Sequence, residues 1–452
     1  MNFSSPEFLF IFLPTATLLF YVLPLWLRLT SIGAASVVFY GMTGPIPLIA
    51  FVLTTIWAFL FGLIVDQIKR NWVLWIGIGT PLLVLFLFKY LNFFFDFIGA
   101  TTETRNLFQL FTEISLPPAI SFYTFQVIAY IVDVRDRKIP VETNFIRLGT
   151  FISFFAQLIA GPILRYANFR DQLTHISLHK ITPRLAPAIK YITAGFFYKI
   201  LFADALRALQ ESFFLETGGG SLDALFSILS YTFVIYYDFW AYSLMAIGLA
   251  LLFGIEFPRN FREPYLSASP KEFWRRWHVT LSFFLRDYVY MRLGGNSHYV
   301  RNILIIFLAC GMWHGAGWNF IVWGLYHAVL VILYHYVRPA WDSMPRVIQT
   351  VLTFSLVAIG WPMFYLDFPA YIAVLTELFA MQGPGGNSLQ FGFAPWIYLL
   401  LVSALCFGTR EDKWLFSENR VPVIDSPLFQ GMVLGVTLLF INLERDFIYF
   451  AF

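Results

Sequence analysis

The sequence predicts an all-α, polytopic membrane protein, and three observations carry that reading. Charged residues make up 13% of the 452 positions, about half the share of a soluble globular chain. Hydrophobic residues reach 59%, with 53 phenylalanines. Apolar stretches near the roughly 20 residues that span a bilayer recur along the whole chain. So little charge cannot build the polar shell of a soluble enzyme, and so much apolar surface excludes a disordered chain. A net charge of +3 is too small for phosphate-backbone binding, so nucleic acid is not an expected partner. Backbone in hydrocarbon must satisfy its own polar groups, and no strand-like alternation appears, so the spans are helices.

The first span is Phe8 to Leu27. No Lys or Arg precedes it, so it lacks the basic leader of a cleaved signal and reads as a retained helix. The next stretch, 32–65, is interrupted by Gly44-Pro45-Ile46-Pro47 and reads as a helical hairpin. Further apolar stretches cover 72–98, 119–132, 148–164, 185–203, 224–254, 302–337, 347–375, 393–408 and 427–443. This makes roughly ten to twelve membrane segments, some of them incomplete. Lys89 is the one apparent intramembrane cation, and its long stem lets it snorkel. No repeat or low-complexity tract is present.

Basic connections orient the chain. Lys69-Arg70, then Arg135, Arg137 and Lys138, then Arg165, Arg170, Lys180, Arg184 and Lys190 lie between spans, and all are expected to be cytoplasmic. The connections 99–117 and 204–223 are neutral to acidic and are expected outside. Both flanks of 148–164 are basic, which a full crossing would contradict. Gly161-Pro162 breaks a helix there, so the segment is expected to be re-entrant and covered by protein. The region 255–301 holds eight Lys/Arg against four Asp/Glu. Phe273, Trp277, Leu281 and Leu285 fall on one helical stripe within it. Two readings stand side by side: an amphipathic helix lying in the interface, or a basic and aromatic grip for an anionic cofactor.

Among the seven histidines, His175, His179 and His298 lie in polar connections, and His335 ends an apolar run. His314 differs. It sits in Ala309-Cys-Gly-Met-Trp-His-Gly-Ala-Gly-Trp-Asn319, inside an apolar stretch. An ionisable group at membrane depth is a functional candidate, and imidazole suits base chemistry near neutral pH. The alternative is a neutral histidine bonded to a neighbouring helix. His327 lacks the glycine-rich setting and reads as packing. Cys310 and Cys406 lie in apolar runs and imply neither a disulfide framework nor a metal site. No G-x-S-x-G elbow, H-E-x-x-H or P-loop is present, and no histidine is followed at the fifth position by Asp.

The run Lys271-Glu-Phe-Trp-Arg-Arg-Trp-His278, followed by Leu285-Arg-Asp-Tyr-Val-Tyr290 and Leu293-Gly-Gly-Asn296, resembles the central signature of the membrane-bound O-acyltransferases. Gly311-Met-Trp-His-Gly-Ala316 and Trp323-Gly-Leu-Tyr-His327 resemble its second half. Ser121 to Gln126, Tyr130 to Val134, Leu158 to Arg165, Tyr237-Asp-Phe239, Met245 to Leu249 and Phe447 to Phe452 agree in order and spacing. The bacterial alginate O-acetyltransferase type is the nearest subgroup. One block departs: the family's Asp-Phe-Ser-Gly-Tyr-Ser-Asp reads Asp238-Phe-Trp-Ala-Tyr-Ser-Leu244 here.

The resemblance implies one membrane domain over 1–452, with 255–337 as its catalytic core. It implies a ring of tilted, broken and re-entrant helices around a central tunnel. It makes His314 the catalytic histidine and His278 the second family histidine. Donor or substrate contacts are expected from Trp274, Arg275, Arg276, Trp277, Arg286, Asp287, Asn296, Trp313 and Asn319. Acetyl-CoA is the expected donor, with no permanently bound cofactor and no metal. A partner acetyltransferase of the SGNH-hydrolase-like type and a polysaccharide acceptor are expected outside the bacterial cytoplasmic membrane. D-alanyl transfer to teichoic acid and peptidoglycan O-acetylation are the rivals within the family. A proton-coupled transporter is the rival from another class. Against it, the sequence displays no inverted repeat and no evident buried Asp/Glu/Lys relay.

Overall fold

The computed structural model describes residues 3–112, 116–158, 161–174, 176, 181–214, 220–380, 390–408, 414–416, 423–443, 445 and 447. His175, His179, Lys180 and all of the terminal Phe447–Phe452 block but Phe447 lie outside the described residues. Every regular element among the described residues is helical. Among the described residues six helices are long and apolar enough to cross a bilayer: Pro45–Gln67, Asn71–Lys89, Leu185–Glu211, Ser221–Leu252, Trp318–Asp342 and Arg346–Phe364. Six shorter apolar helices accompany them. Large apolar side chains such as Trp26, Trp75 and Leu428 stand exposed along these elements, as lipid-facing residues do. The chain is a multi-pass membrane protein.

Helices stop where the backbone forces them to. The first stretch ends at Val22 because Pro24 disfavours helical geometry at the residue before it. A new helix, Leu25–Gly41, then runs on. The expected hairpin break at 44–47 is present: Gly44 sits at φ +115° between the helices ending at Gly41 and starting at Pro45. The stretch 302–337, read from sequence as one run, is instead a hairpin of two helices, Tyr299–His314 and Trp318–Asp342. The turn at Gly315-Ala316-Gly317 makes it so. The 271–285 segment is not one amphipathic helix either. It breaks at His278, between Pro270–Arg276 and Val279–Leu285. Phe273, Trp277, Leu281 and Leu285 are all buried, so the interfacial reading of that stripe gives way to a packed core.

The chain divides into two compact units, Met1–Ile189 with Met245–Pro258, and Lys190–Leu244 with Arg259–Phe452. The long Ser221–Leu252 helix contributes to both. In the first unit a phenylalanine core joins Phe8, Phe12, Phe39 and Phe155, with ring centroids 5.2–6.2 Å apart.

The polar organiser of this unit is Glu142, which is buried. Arg147 donates to both of its oxygens at 3.1 Å. The Tyr166 hydroxyl and the Asn144 backbone N–H also bond it, and Arg170 lies 3.8 Å away. Arg147 precedes the 148–164 segment, whereas Tyr166 and Arg170 follow it. Both ends of the segment therefore return to one carboxylate, as a re-entrant element must. The helix within it breaks at Phe154. The same face gathers the other basic connections of this unit. Arg135 donates to the Lys69 carbonyl at 2.7 Å, and Arg184 to the Gly254 carbonyl at 2.6 Å.

Burial alone would raise the Glu142 carboxyl. The bonds from Tyr166, Asn144 and Arg147 outweigh it and hold the group below the ordinary carboxylate range. A depressed folded value contributes stability above the unfolded pKa of about 4.3, and that stability is lost as pH falls through the folded value. Glu142→Ala should lower stability by about 2–3 kcal/mol, less than a fully buried pair because Arg147 and Arg170 keep some solvent. Thermal unfolding in detergent at several pH values checks this. The gap between wild type and variant should close in acid, and a gap that persists there would contradict the assignment.

Candidate active site

The site is built in the second unit by the histidine hairpin, Tyr299–His314 and Trp318–Asp342. Its two helices meet at backbone contact. A Cβ at Gly311 would collide with the Phe320 carbonyl, and one at Gly324 with the Phe307 carbonyl. Without a hydrophobic driving force between spans, such small-residue contacts supply the packing. His314 is the last residue of the first helix, and extended Gly315 stops the helix there. The imidazole, 3% exposed, is enclosed by rings. Trp313, Trp323 and Phe364 lie 4.9, 5.1 and 5.0 Å from it between centroids, all steeply inclined.

His278 is 1% exposed and lies on the other face of Trp313's environment, its ring 5.7 Å from the indole. The structure thus brings both predicted histidines onto one tryptophan. His278 has a left-handed backbone, φ +43°, which is costly for a residue with a Cβ. Asn260 holds that turn. Its backbone carbonyl accepts from the Val279 N–H at 2.9 Å. Its Oδ1 accepts from the Thr280 N–H at 3.4 Å and the Thr280 hydroxyl at 2.7 Å.

A backbone N–H can only donate, so the Asn260 atom facing it is the oxygen. The same oxygen lies 3.3 Å from His278 Nδ1. Nδ1 therefore carries the proton and Nε2 the lone pair. Nε2 is buried and has no protein hydrogen-bond partner among the described residues. Burial pushes protonation of this ring down to about 3, so it is neutral at physiological pH.

Trp274 is half-buried and packs over Trp323 and His327, at 5.6 and 5.0 Å. Trp277 is fully buried against Phe261 and Trp361, at 4.9 and 4.6 Å. Asn319 donates its amide to the Met363 carbonyl at 2.8 Å, which pins the 361–364 turn carrying Phe364. Arg275 is exposed and has no carboxylate partner among the described residues. Arg276 pairs with Glu272 at 2.6 Å. Arg286 pairs with its neighbour Asp287 at 2.6 Å. Asn296 accepts from the Tyr290 hydroxyl at 2.7 Å. His327 is fully buried among Trp274, Trp323 and Tyr326, in keeping with its packing reading. His298 and His335 are exposed.

The sequence reading missed two features. Asn260 sits in Arg259-Asn260-Phe261, which carries no recognisable chemistry. The second is a buried ion triad, which corrects the expectation that no Asp/Glu/Lys relay exists. Lys199 bonds Asp204, lies 2.9 Å from Asp238, and donates to the Arg445 carbonyl at 2.8 Å. All three side chains are almost fully buried. Residues five apart stand about 140° apart on an α-helix. Here Tyr198–Asp204 is a π-helical turn, whose i to i+5 bonding aligns Lys199 with Asp204. Among the described residues no group of His, Cys, Asp or Glu has a metal-binding arrangement.

A buried imidazole in an aromatic cage inside a polytopic helical protein is a candidate for acid–base chemistry at membrane depth. The comparisons agree. The profile of the membrane-bound O-acyltransferase family, MBOAT, matches residues 73–371. The chain is 38% identical over 378 residues to the probable alginate O-acetylase AlgI of Azotobacter vinelandii, covering 80% of this chain and 75% of that protein. It is 37% identical over 434 residues to the same-named protein of Pseudomonas aeruginosa, covering 91% and 82%. It is 33% identical to the peptidoglycan O-acetyltransferase of Helicobacter pylori, covering 100% and 97%. The chain belongs to the membrane-bound O-acyltransferase family, and it is an acyltransferase.

Three outcomes follow from this geometry. Gly324→Val should force the hairpin apart, abolish activity and lower the apparent Tm; a fully active, equally stable variant would contradict the backbone contact. Asn260→Leu should lower activity about 10- to 100-fold, the usual cost of losing an orienting partner. Nitrogen NMR on labelled histidine should show the His278 proton on Nδ1 in wild type and redistributed in that variant. Lys199→Met leaves two buried carboxylates uncompensated and should cost about 3–5 kcal/mol. Adding Asp238→Asn should recover part of that loss in the same unfolding assay.

Proposed function

We propose that the enzyme takes an acetyl group from cytoplasmic acetyl-CoA and passes it across the bacterial inner membrane for O-acetylation of an extracytoplasmic polysaccharide of the alginate type. The observation that carries this reading is His314, placed by the glycine crossing at the tip of a hairpin and walled by aromatic rings. Such walls exclude water and strengthen every electrostatic interaction within them.

The proposed step balances simply. His314 removes the proton of an acceptor hydroxyl, whose oxygen attacks the thioester carbonyl. The tetrahedral oxyanion needs a donor, and the Trp313 indole and the Asn319 amide, which also donates to Met363, are the two candidates. Collapse expels the CoA thiolate, which takes up the proton from the imidazolium. His278, held by Asn260 with Nε2 as acceptor, orients the hydroxyl. Arg275 is the first candidate for the donor's phosphates, because Arg276 and Arg286 are already paired. Trp274 and Trp277 wall the approach, and Asp287 and Asn296 shape the basic region around Arg286. The acetyl group leaves through an extracytoplasmic partner of the SGNH-hydrolase-like type.

A second reading is peptidoglycan O-acetylation. The end-to-end match to the Helicobacter pylori protein favours it, because the alginate-type relatives match less of their own length. Purified protein in detergent, given acetyl-CoA, should release free CoA thiol slowly. His314→Ala should abolish release while leaving thermal unfolding unchanged. Wild-type release that persists in the variant would sink the histidine's role. Uptake of acetyl-CoA without thiol release would point to a carrier instead.

A further inference from the structure

A cleft of about 700 Å³ opens in the second unit, away from the caged histidines. Its floor is the start of the Arg346–Gly360 helix, where Val347 and Val351 are 74% and 57% exposed, with Phe354 beneath. That helix belongs to a candidate membrane span, so its first residue lies at headgroup depth and its valines face acyl chains. Arg346 and Arg276 stand at the mouth. Both reach Glu272, at 3.8 and 2.6 Å. One carboxylate shared by two guanidiniums leaves one positive charge in surplus. Glu263 also lines the cleft. Its backbone is left-handed, φ +48°, and its Oε1 is buried with no hydrogen-bond partner among the described residues. No described residue bonds this carboxylate, so a ligand in the cleft that donates to its other, accessible oxygen gives it its first partner.

We propose that this cleft binds one phospholipid with a primary-amine zwitterionic headgroup, a phosphatidylethanolamine, from the leaflet on the basic side. The phosphate answers the surplus charge at Arg346 and Arg276. The ammonium answers Glu263, and it needs N–H donors to do so, which a quaternary choline lacks. The acyl chains lie along Val347, Val351 and Phe354. An anionic glycerol headgroup would satisfy the arginines but offer Glu263 only neutral hydroxyls, weaker donors than an ammonium. The cleft holds both charges of such a headgroup at the end of an apolar floor, and this combination singles out the lipid.

Native mass spectrometry of the whole protein, released from detergent with added lipids, tests the proposal. The wild type should retain phosphatidylethanolamine about tenfold over phosphatidylcholine and phosphatidylglycerol, the ratio one charge-assisted hydrogen bond supplies. Arg346→Gln should lower retention of all three. Glu263→Gln should erase the preference for the amine while keeping the general retention. Millimolar phosphoethanolamine or inorganic phosphate should not displace the lipid. Equal retention of the three lipids by wild type would overturn the proposal. So would a preference unchanged in both variants, or displacement by the soluble headgroup, which would mark a small-anion site. Unchanged thermal unfolding of Arg346→Gln, an exposed substitution, keeps its result free of folding effects.

Discussion

The backbone contact between Gly311 and Gly324 is the constraint on which the histidine hairpin and its aromatic cage depend. In a bilayer, apolar surfaces gain little by meeting each other, because lipid is as apolar as leucine. Helices must therefore be joined by close fit or by polar bonds. The histidine hairpin uses close fit. With no side chain between them, the two helices bring His314 and Trp323 into ring contact, and His327 follows one turn later. The neighbouring Pro270–Arg276 helix then closes over that surface through Trp274. Each ring in this cage has few rotatable bonds, so most of its ordering is achieved during folding and little remains for substrate binding.

Polar joints do the corresponding work elsewhere. Glu142 ties both ends of the re-entrant segment in one unit, and Lys199 joins Asp204, Asp238 and the Arg445 carbonyl in the other. Neither is a cheap source of stability, since desolvating charges costs several kcal/mol per ion. Their value is positional. A carboxylate bonded from two sides of a loop leaves that loop one place to go. An ammonium held between two carboxylates and the Arg445 carbonyl fixes three segments at one point.

Composition and length were enough to show helices in a membrane, because charge scarcity and recurring apolar stretches report directly on solvent. Breaks at Gly44-Pro45 and near Gly161-Pro162 were legible because those residues change the backbone itself. The split of 302–337 was harder to see. Gly315 and Gly317 were noted as room around His314, yet the same glycines make the turn. The stripe from Phe273 to Leu285 misled because helical spacing is indistinguishable from two short helices whose junction buries the same residues. His314 stood out by its place in an apolar stretch and His278 by motif order, and the structure sets both against Trp313; Asn260 did not stand out, since a tertiary hydrogen bond leaves no local signature. The Lys199 triad stayed hidden for a geometric reason. Lys199 and Asp204 are five residues apart, a spacing that places them on one face only in a π-helical turn, and Asp238 joins them from another helix.

The bond from Asn260 to His278 has a consequence for the flow of protons. Burial disfavours a second proton on this imidazole. Its Nε2 is left able to accept a hydrogen bond from a group that enters beside it. Within this pair of histidines, then, the geometry suits His278 to serve as a compass rather than a reservoir, and the proposed mechanism gives the proton to His314.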